Sequence, residues 1–461
     1  MLKHAIPYHH NTAQLFAHIA HLEWAMWLDS AQQHNALGAP SSQYGHYDIL
    51  VANPIITFVT RGDETEITET GHVVFSKEDP FQLVKNTLAK YSASAEKNLP
   101  FAGGAVGYFA YDLGKCIEKL TQNTQIHAQT PQMMVGIYDC AVVVDHREKT
   151  VFLISQNLHQ KAQENFDALR ALFYKPSSGD DIFPFKITSK IISNFTKAQY
   201  EQAFHKVKNY ILEGDCYQVN LAQRFAANAQ GDGWQAYQKL REISPAPFMA
   251  YMRLPQCEVL CASPERFLQV QNQHVETRPI KGTRPRVDNA MQDAQNALDL
   301  QSSLKDRAEN LMIVDLLRND IGKNCAIGSV KAKQLFQLQS FANVHHLVSI
   351  ITGKLAVGKS ALDLLRGCFP GGSITGAPKL RAMQIIEELE PHQRGLYCGA
   401  IGYVGFDGNM DTNIAIRTAV YADGEISFYA GGGIVADSEL EKEYTETFDK
   451  ASSMMKLMRF F

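Results

Sequence analysis

Short strand-forming runs that follow one another at turn distance constrain this chain more than any other feature. Cys140–Asp145 and Thr150–Ser155 are separated by a few polar residues, and Glu258–Cys261 and Phe267–Val270 flank a turn at Ser263-Pro264. Strands so close in sequence pair antiparallel, because a parallel pair needs a crossover of about a dozen residues or more. Amphipathic segments interrupt them. His159–Tyr174 places Ala162, Phe166, Leu169 and Leu172 at helical spacing, Lys197–Glu213 stops at Gly214, and Met291–Arg318 and Ala377–Leu389 also read as helices. Strand pairs mixed with helices, without regular βαβ alternation, predict an α+β fold of largely antiparallel sheets packed together and surrounded by helices.

At 461 residues the chain exceeds the size at which one core keeps growing. Lys175–Phe185 is rich in proline, serine and glycine, which divides the sequence into a first unit over 1–175, a linker over 176–195 and a second unit over 196–461. A net charge of -4 excludes a nucleic-acid-binding class, which needs a strongly basic face. No run of roughly 18 apolar residues offers a membrane span. Met1–His10 lacks the basic-then-apolar pattern of a signal peptide, and eight scattered cysteines without a CxxC pair suit reduced thiols and a cytoplasmic home. His9-His10 and His345-His346 are adjacent pairs, whose side chains point to opposite sides of a strand, so no metal is read from them.

Two glycine-rich segments stand out. FPGGSITGAPK (369–379) has the glycine spacing of a phosphate loop, but Ala377-Pro378 stands where that loop needs Lys and Ser or Thr. Pro378 suits the first turn of a helix, so the segment reads as a glycine loop entering a helix N-terminus, where free amides welcome a carboxylate. Gly431-Gly432-Gly433 follows a strand-like run, Ile426–Ala430, and glycines there imply something approaching the backbone closely. A plain turn explains the first segment equally well, and a ligand-free bulge the second.

Taken together, GDCYQVNLAQRF (214–225), SPERF (263–267), PIKGTRPR (279–286), ENLMIVDLLRNDIG (309–322), VHHLVS (344–349), FPGGSITGAPKLRAM (369–383), CGAIGY (398–403), NIAIRT (413–418) and AGGGIVADS (430–438) resemble the chorismate-utilising enzymes. YDILVANP (47–54) and FAGGAVGYFAYD (101–112) are similar to the first domain of the synthase members. The resemblance implies an anthranilate synthase component I-like fold.

Anthranilate synthases carry alanine where this chain has Lys281. The lysine therefore implies the branch that places an amino group at C4 of chorismate, giving 4-amino-4-deoxychorismate for 4-aminobenzoate and folate synthesis. A nucleophilic amine splits one difficult displacement into two easier ones, provided that it is at least partly neutral. A lone lysine in such a loop otherwise reads as a solvated surface charge. Glu265 is the implied general acid and base; on the residues alone it could equally be an ion-pair partner of Arg266 or Arg278. Glu309, at the opening of a helix, and Glu446 are implied as ligands of Mg²⁺, with Glu443 beside them, since 443 and 446 share a helix face. Tyr397 and Arg417 are implied to grip the enolpyruvyl carboxylate, the Gly432 and Gly433 amides to hold the ring carboxylate, and His346, Ser373 and Thr375 to complete the pocket.

No cysteine sits in the GxCxG elbow of a glutamine amidotransferase. The resemblance thus implies a separate glutamine amidotransferase subunit that supplies ammonia, in a heterodimer. The first domain of some relatives binds tryptophan, and Ser30, Tyr47, Pro247 and Phe248 occupy the corresponding region. Asp29 stands where a glutamate is usual, so tryptophan binding stays open. Two other readings are carried forward: an anthranilate synthase, and a catalytically silent chorismate- or tryptophan-binding subunit.

Overall fold

Alternation along single strands shows how the layers form. In Ala25–Asp29, Trp27 packs with Phe16, Trp234 and Tyr237 under helices, while Met26 packs with Val106, Met134, Met252 and Ile401 from other strands. In Ile56–Arg61, Phe58 faces a third cluster with Phe81 and Phe109, and Val59 joins Met26. Successive side chains take opposite faces, so one cluster lies between two sheets and the other two lie outside them, under helices. A helix–sheet–sheet–helix sandwich results. This also explains why runs such as Cys140–Asp145 are buried throughout.

The computed structural model describes residues 1–32, 44–91, 99–118, 120, 130–175, 183–340 and 344–461. Among them one sheet has 13 strands and the other 12, and every pair is antiparallel in the registers observed, such as Gln218–Gln230 against Glu425–Ile434. The expected α+β class with antiparallel sheets is what the chain adopts. Both sheets take strands from before and after the 176–195 segment: Ala25–Asp29 pairs with Phe248–Arg253, and Ala400–Gly405 pairs with Gly104–Phe109. Residues 176–182 of that segment lie outside the described residues. The rest of it supplies Lys186–Ile187 and Ile192–Ser193, both paired with Gln218–Gln230.

Helix boundaries differ from expectation at three points. The segment Met291–Arg318 is two helices, Ala290–Ser302 and Leu304–Gly322. Ser303 is extended and its hydroxyl accepts from the Asp306 amide at 3.2 Å, because a serine can offer its side chain to the backbone and start a new helix. Glu309 therefore sits in the second turn rather than opening the helix. Pro378 is extended and precedes the helix Lys379–Leu389 instead of entering its first turn.

Candidate active site

The chain crosses between the two sheets at two neighbouring places, and each crossing carries a charged residue. Glu258–Ser263 belongs to the 13-stranded sheet and Arg266–Gln271 to the other, so Pro264-Glu265 is one crossing. Met410–Ile414 and Thr418–Ala422 are likewise in different sheets, with Arg417 at their junction in the left-handed region, φ 49°. The crossings are tied together: Ile414 donates its amide to the Glu265 carbonyl at 3.0 Å, and Ala262 donates to the Arg417 carbonyl at 3.0 Å.

Lys281 reaches the same place through a bulge. Ile280 pairs with Val348 and Thr283 with His346, which leaves Lys281 and Gly282 opposite Leu347 alone. Such a bulge re-aims a side chain. Gly282 has φ +79°, and a Cβ there would lie 2.8 Å from Leu300, so glycine is required. The Lys281 ammonium donates to the Ser373 carbonyl at 3.3 Å, and the Ser373 hydroxyl donates to Glu265 Oε1 at 3.4 Å.

These surroundings set the charges. Burial pushes Glu265 up to about 7, against the pull of the Lys281 ammonium, the Ile280 amide and the Ser373 hydroxyl. Burial, followed by the Lys450 ammonium, draws Lys281 below the usual lysine range, while Glu265, Glu309 and Glu446 oppose it. His346, which shares a 2.9 Å hydrogen bond with Thr283 Oγ1, falls to about 4 through burial and then the nearby Arg417, so it is neutral at physiological pH. The Arg417 guanidinium has no hydrogen bond or ion pair among the described residues, though burial lowers its pKa and Glu265 lies near enough to raise it. A half-buried guanidinium without a partner is ready for an incoming carboxylate.

Glu443 and Glu446 approach the backbone of Gly432. A Cβ on that glycine would lie 3.1 Å from Glu443 Oε2 and 3.4 Å from Glu446 Oε1. Ser438 donates its hydroxyl to Glu443 Oε1 at 2.6 Å, and burial, with Glu446 beside it, raises Glu443. Burial also acts on Glu446, but Lys450, Lys281 and Lys305 outweigh it and hold that carboxyl low. Glu309, raised by burial, feels Lys281 and Lys305 most among the charges. Lys281 thus stands in the field of Glu309 and of Glu446 together. Among the described residues no three His, Cys, Asp or Glu side chains close into a metal-binding group. Glu309 and Glu446, on two helices, share the field of Lys281 and Lys305, and as hard oxygen donors they suit Mg²⁺, which uses one or two carboxylates and keeps its waters.

The remaining expected residues are placed as follows. Ala222 donates its amide to Glu390 and Asn220 donates to the Thr375 carbonyl, so their partners Gly431 and Gly433 turn their amides away from that strand. Gly432 turns its amide into the ladder, so of the two expected amides it is that of Gly433 which faces away from it. Thr375 donates its hydroxyl toward the carbonyls of Gly371 (3.1 Å) and Gly372 (3.3 Å), which fixes the loop. Tyr397 stacks on Tyr429 at 5.4 Å. Ser30, Tyr47, Pro247 and Phe248 meet in one cavity of about 430 Å³. Arg266 lines that cavity while Glu265, one residue earlier, contacts Ser373 instead. The Ser30 amide and hydroxyl both donate to Asp48 Oδ1 at 2.8 Å, and Asp29 is held by Tyr237 and Arg241.

Sequence reasoning missed Lys450 and Arg394. Lys450 follows Glu446 by one helical turn, a spacing that could have flagged it. Arg394 is fully buried, pairs with Glu390 at 2.6 Å and donates to the carbonyls of Ile374 and Asn220, tying the Ser373 loop to the strand below it. Nothing local in the sequence marks that role.

An α+β sandwich with a buried amine, a carboxyl held near neutrality and an unpartnered guanidinium defines an enzyme site for an anionic substrate. The chain belongs to the chorismate binding enzyme family, which it matches over residues 25–456. It is 48% identical to aminodeoxychorismate synthase component 1 of Escherichia coli over 96% of this chain and 94% of that one. It is 45% identical to the protein of the same name in Salmonella typhimurium, over 98% and 96% respectively. Anthranilate synthase component I of Streptococcus pneumoniae superposes with a TM-score of 0.80 at 31% identity, covering 90% of this chain and 93% of that structure.

Proposed function

We propose that this chain converts chorismate and ammonia to 4-amino-4-deoxychorismate, the activity carried in the names of its relatives from Escherichia coli and Salmonella typhimurium. The observation that carries this reading is the convergence of Lys281 and Glu265 on Ser373. The neutral Lys281 amine attacks ring carbon C2, the two ring double bonds shift, and the C4 hydroxyl leaves as water with the proton of Glu265. Ammonia then bonds to C4, the double bonds return, and the C2–N bond to Lys281 breaks. The proton lost by ammonia passes to Glu265. Each group acts in its less usual charge state, which burial favours.

Arg417 and Tyr397 would receive the enolpyruvyl carboxylate, and His346, the Ser373–Thr375 loop and the Gly433 amide would surround the ring. Glu309 and Glu446 would hold Mg²⁺, with Glu443 in support; the ion would neutralise the ring carboxylate. The relatives' designation as component 1 supports a second component, a glutamine amidotransferase that supplies ammonia. The 430 Å³ cavity around Ser30, Tyr47, Pro247 and Phe248 has the size and aromatic lining for tryptophan. The first unit (1–175), linker (176–195) and chorismate-binding unit (196–461) remain a division of the sequence, since the sheets cross it.

The test is turnover of chorismate with Mg²⁺ and ammonium, with and without a lyase that releases pyruvate. Formation of 4-aminobenzoate only when the lyase is present supports the proposal. Anthranilate fluorescence without lyase would assign the anthranilate reaction, and absence of turnover would leave a silent subunit.

A further inference from the structure

Two oxygens hold the ammonium of Lys450: Glu446 Oε1 at 2.6 Å and the Gly431 carbonyl at 3.0 Å. Both border the carboxylate cluster, for Glu443 and Glu446 lie against Gly432, the next residue of the strand. Residues 443, 446 and 450 fall on one face of the helix Leu440–Phe460. A carboxylate and a backbone carbonyl are both hard oxygen donors, the kind that a small divalent cation takes. Glu446 Oε1 cannot direct the same lone pairs to an ammonium at 2.6 Å and to a metal. The ammonium of Lys305 differs: it lies 4.0 Å from both Glu309 and Asp437 and makes no hydrogen bond to either.

Resting on the metal reading above, we propose that Lys450 is an internal competitor for the divalent cation. In the metal-free protein its ammonium occupies Glu446 and the Gly431 carbonyl, and it leaves Glu446 when the cation binds. The cluster then never stands as bare carboxylates in a half-buried setting, where their mutual repulsion would be costly. Metal affinity is correspondingly set by an exchange of cations.

The test titrates Mn²⁺ into the full chain without substrate, following free Mn²⁺ by electron paramagnetic resonance. Lys450→Met keeps the apolar stem and removes the charge, and it should bind Mn²⁺ about two- to fivefold tighter, as expected for losing a half-exposed ion pair. Lys450→Gln should do the same. Lys305→Met, which removes a charge without freeing a ligand, should change affinity by less. Glu446→Gln should weaken binding and abolish the gain from Lys450→Met in the double variant. Unchanged or weaker binding in both Lys450 variants, or an equal gain in Lys305→Met, overturns the proposal. If wild type shows no saturable binding, or Glu446→Gln binds as wild type does, the metal reading itself fails and the competition with it.

Discussion

Lys281 and Glu265, sixteen residues apart in the chain, meet at opposite ends of one residue: the amine on the carbonyl of Ser373, the carboxyl on its hydroxyl. One is pulled down and the other pushed up, chiefly by burial. An amine and a carboxyl so placed can share a proton across a substrate ring, and they titrate as a pair.

Lys281→Ala should lower turnover by about 10²- to 10⁴-fold and remove any covalent intermediate. Intact-protein mass after mixing with chorismate, without ammonium, checks this. An adduct in the alanine variant would take Lys281 out of its role.

Adduct formation should follow a bell-shaped pH profile. It rises as Lys281 loses its proton and falls as Glu265 loses the proton it must donate, near pH 7. Glu265→Gln should slow the step by about 10²-fold or more and erase the alkaline limb. Single-turnover measurements without ammonium are the check, since ammonium titrates itself. A variant that kept the alkaline limb would assign it elsewhere.

Arg417→Gln should raise KM for chorismate by roughly 10- to 100-fold, the cost of a charge-assisted hydrogen bond, with little change in Tm. Its guanidinium makes no hydrogen bond to the described residues, so folding loses little when it goes. A large fall in Tm with unchanged KM would make Arg417 a structural residue.

Beneath Ser30, Asp48 and His146 form a buried pair at 2.9 Å. Burial opposes the Asp48 charge, but His146 and the surrounding donors hold its carboxyl at about 2, and Asp48 in turn holds His146 above its usual value despite burial. A depressed carboxyl stabilises above its unfolded pKa of about 4 and loses this as pH falls toward 2; a raised imidazole stabilises below about 6.5 and loses this as pH rises through its folded value. The pair is therefore strongest between about pH 4 and 6.5. Asp48→Asn should cost about 3–5 kcal/mol there and less at pH 9, read from urea unfolding at each pH. A cost independent of pH would deny the ion pair.

The sequence by itself pointed to the fold class, because strand runs close in sequence favour antiparallel pairing, as Cys140–Asp145 does with Thr150–Ser155, although Glu258–Ser263 and Arg266–Gln271 go to different sheets instead of pairing. It also determined the family, because its motifs stand in order along most of the chain. The family resemblance also made Lys281, Glu265 and Glu446 legible as candidates, where the residues alone read as surface charges or ion-pair partners. Only the tertiary structure decided what they face. The bulge at Lys281–Gly282, the two sheet crossings at Glu265 and Arg417, and the seating of Glu443 and Glu446 against Gly432 are long-range contacts that no local pattern encodes. Burial, which dominates the shifts of Lys281, Glu265, Glu309 and His346, is created by those contacts. Lys450 shows the same limit: its helical spacing from Glu446 is visible in the chain, but the Gly431 carbonyl that completes its oxygen pair comes from the strand Glu425–Ile434.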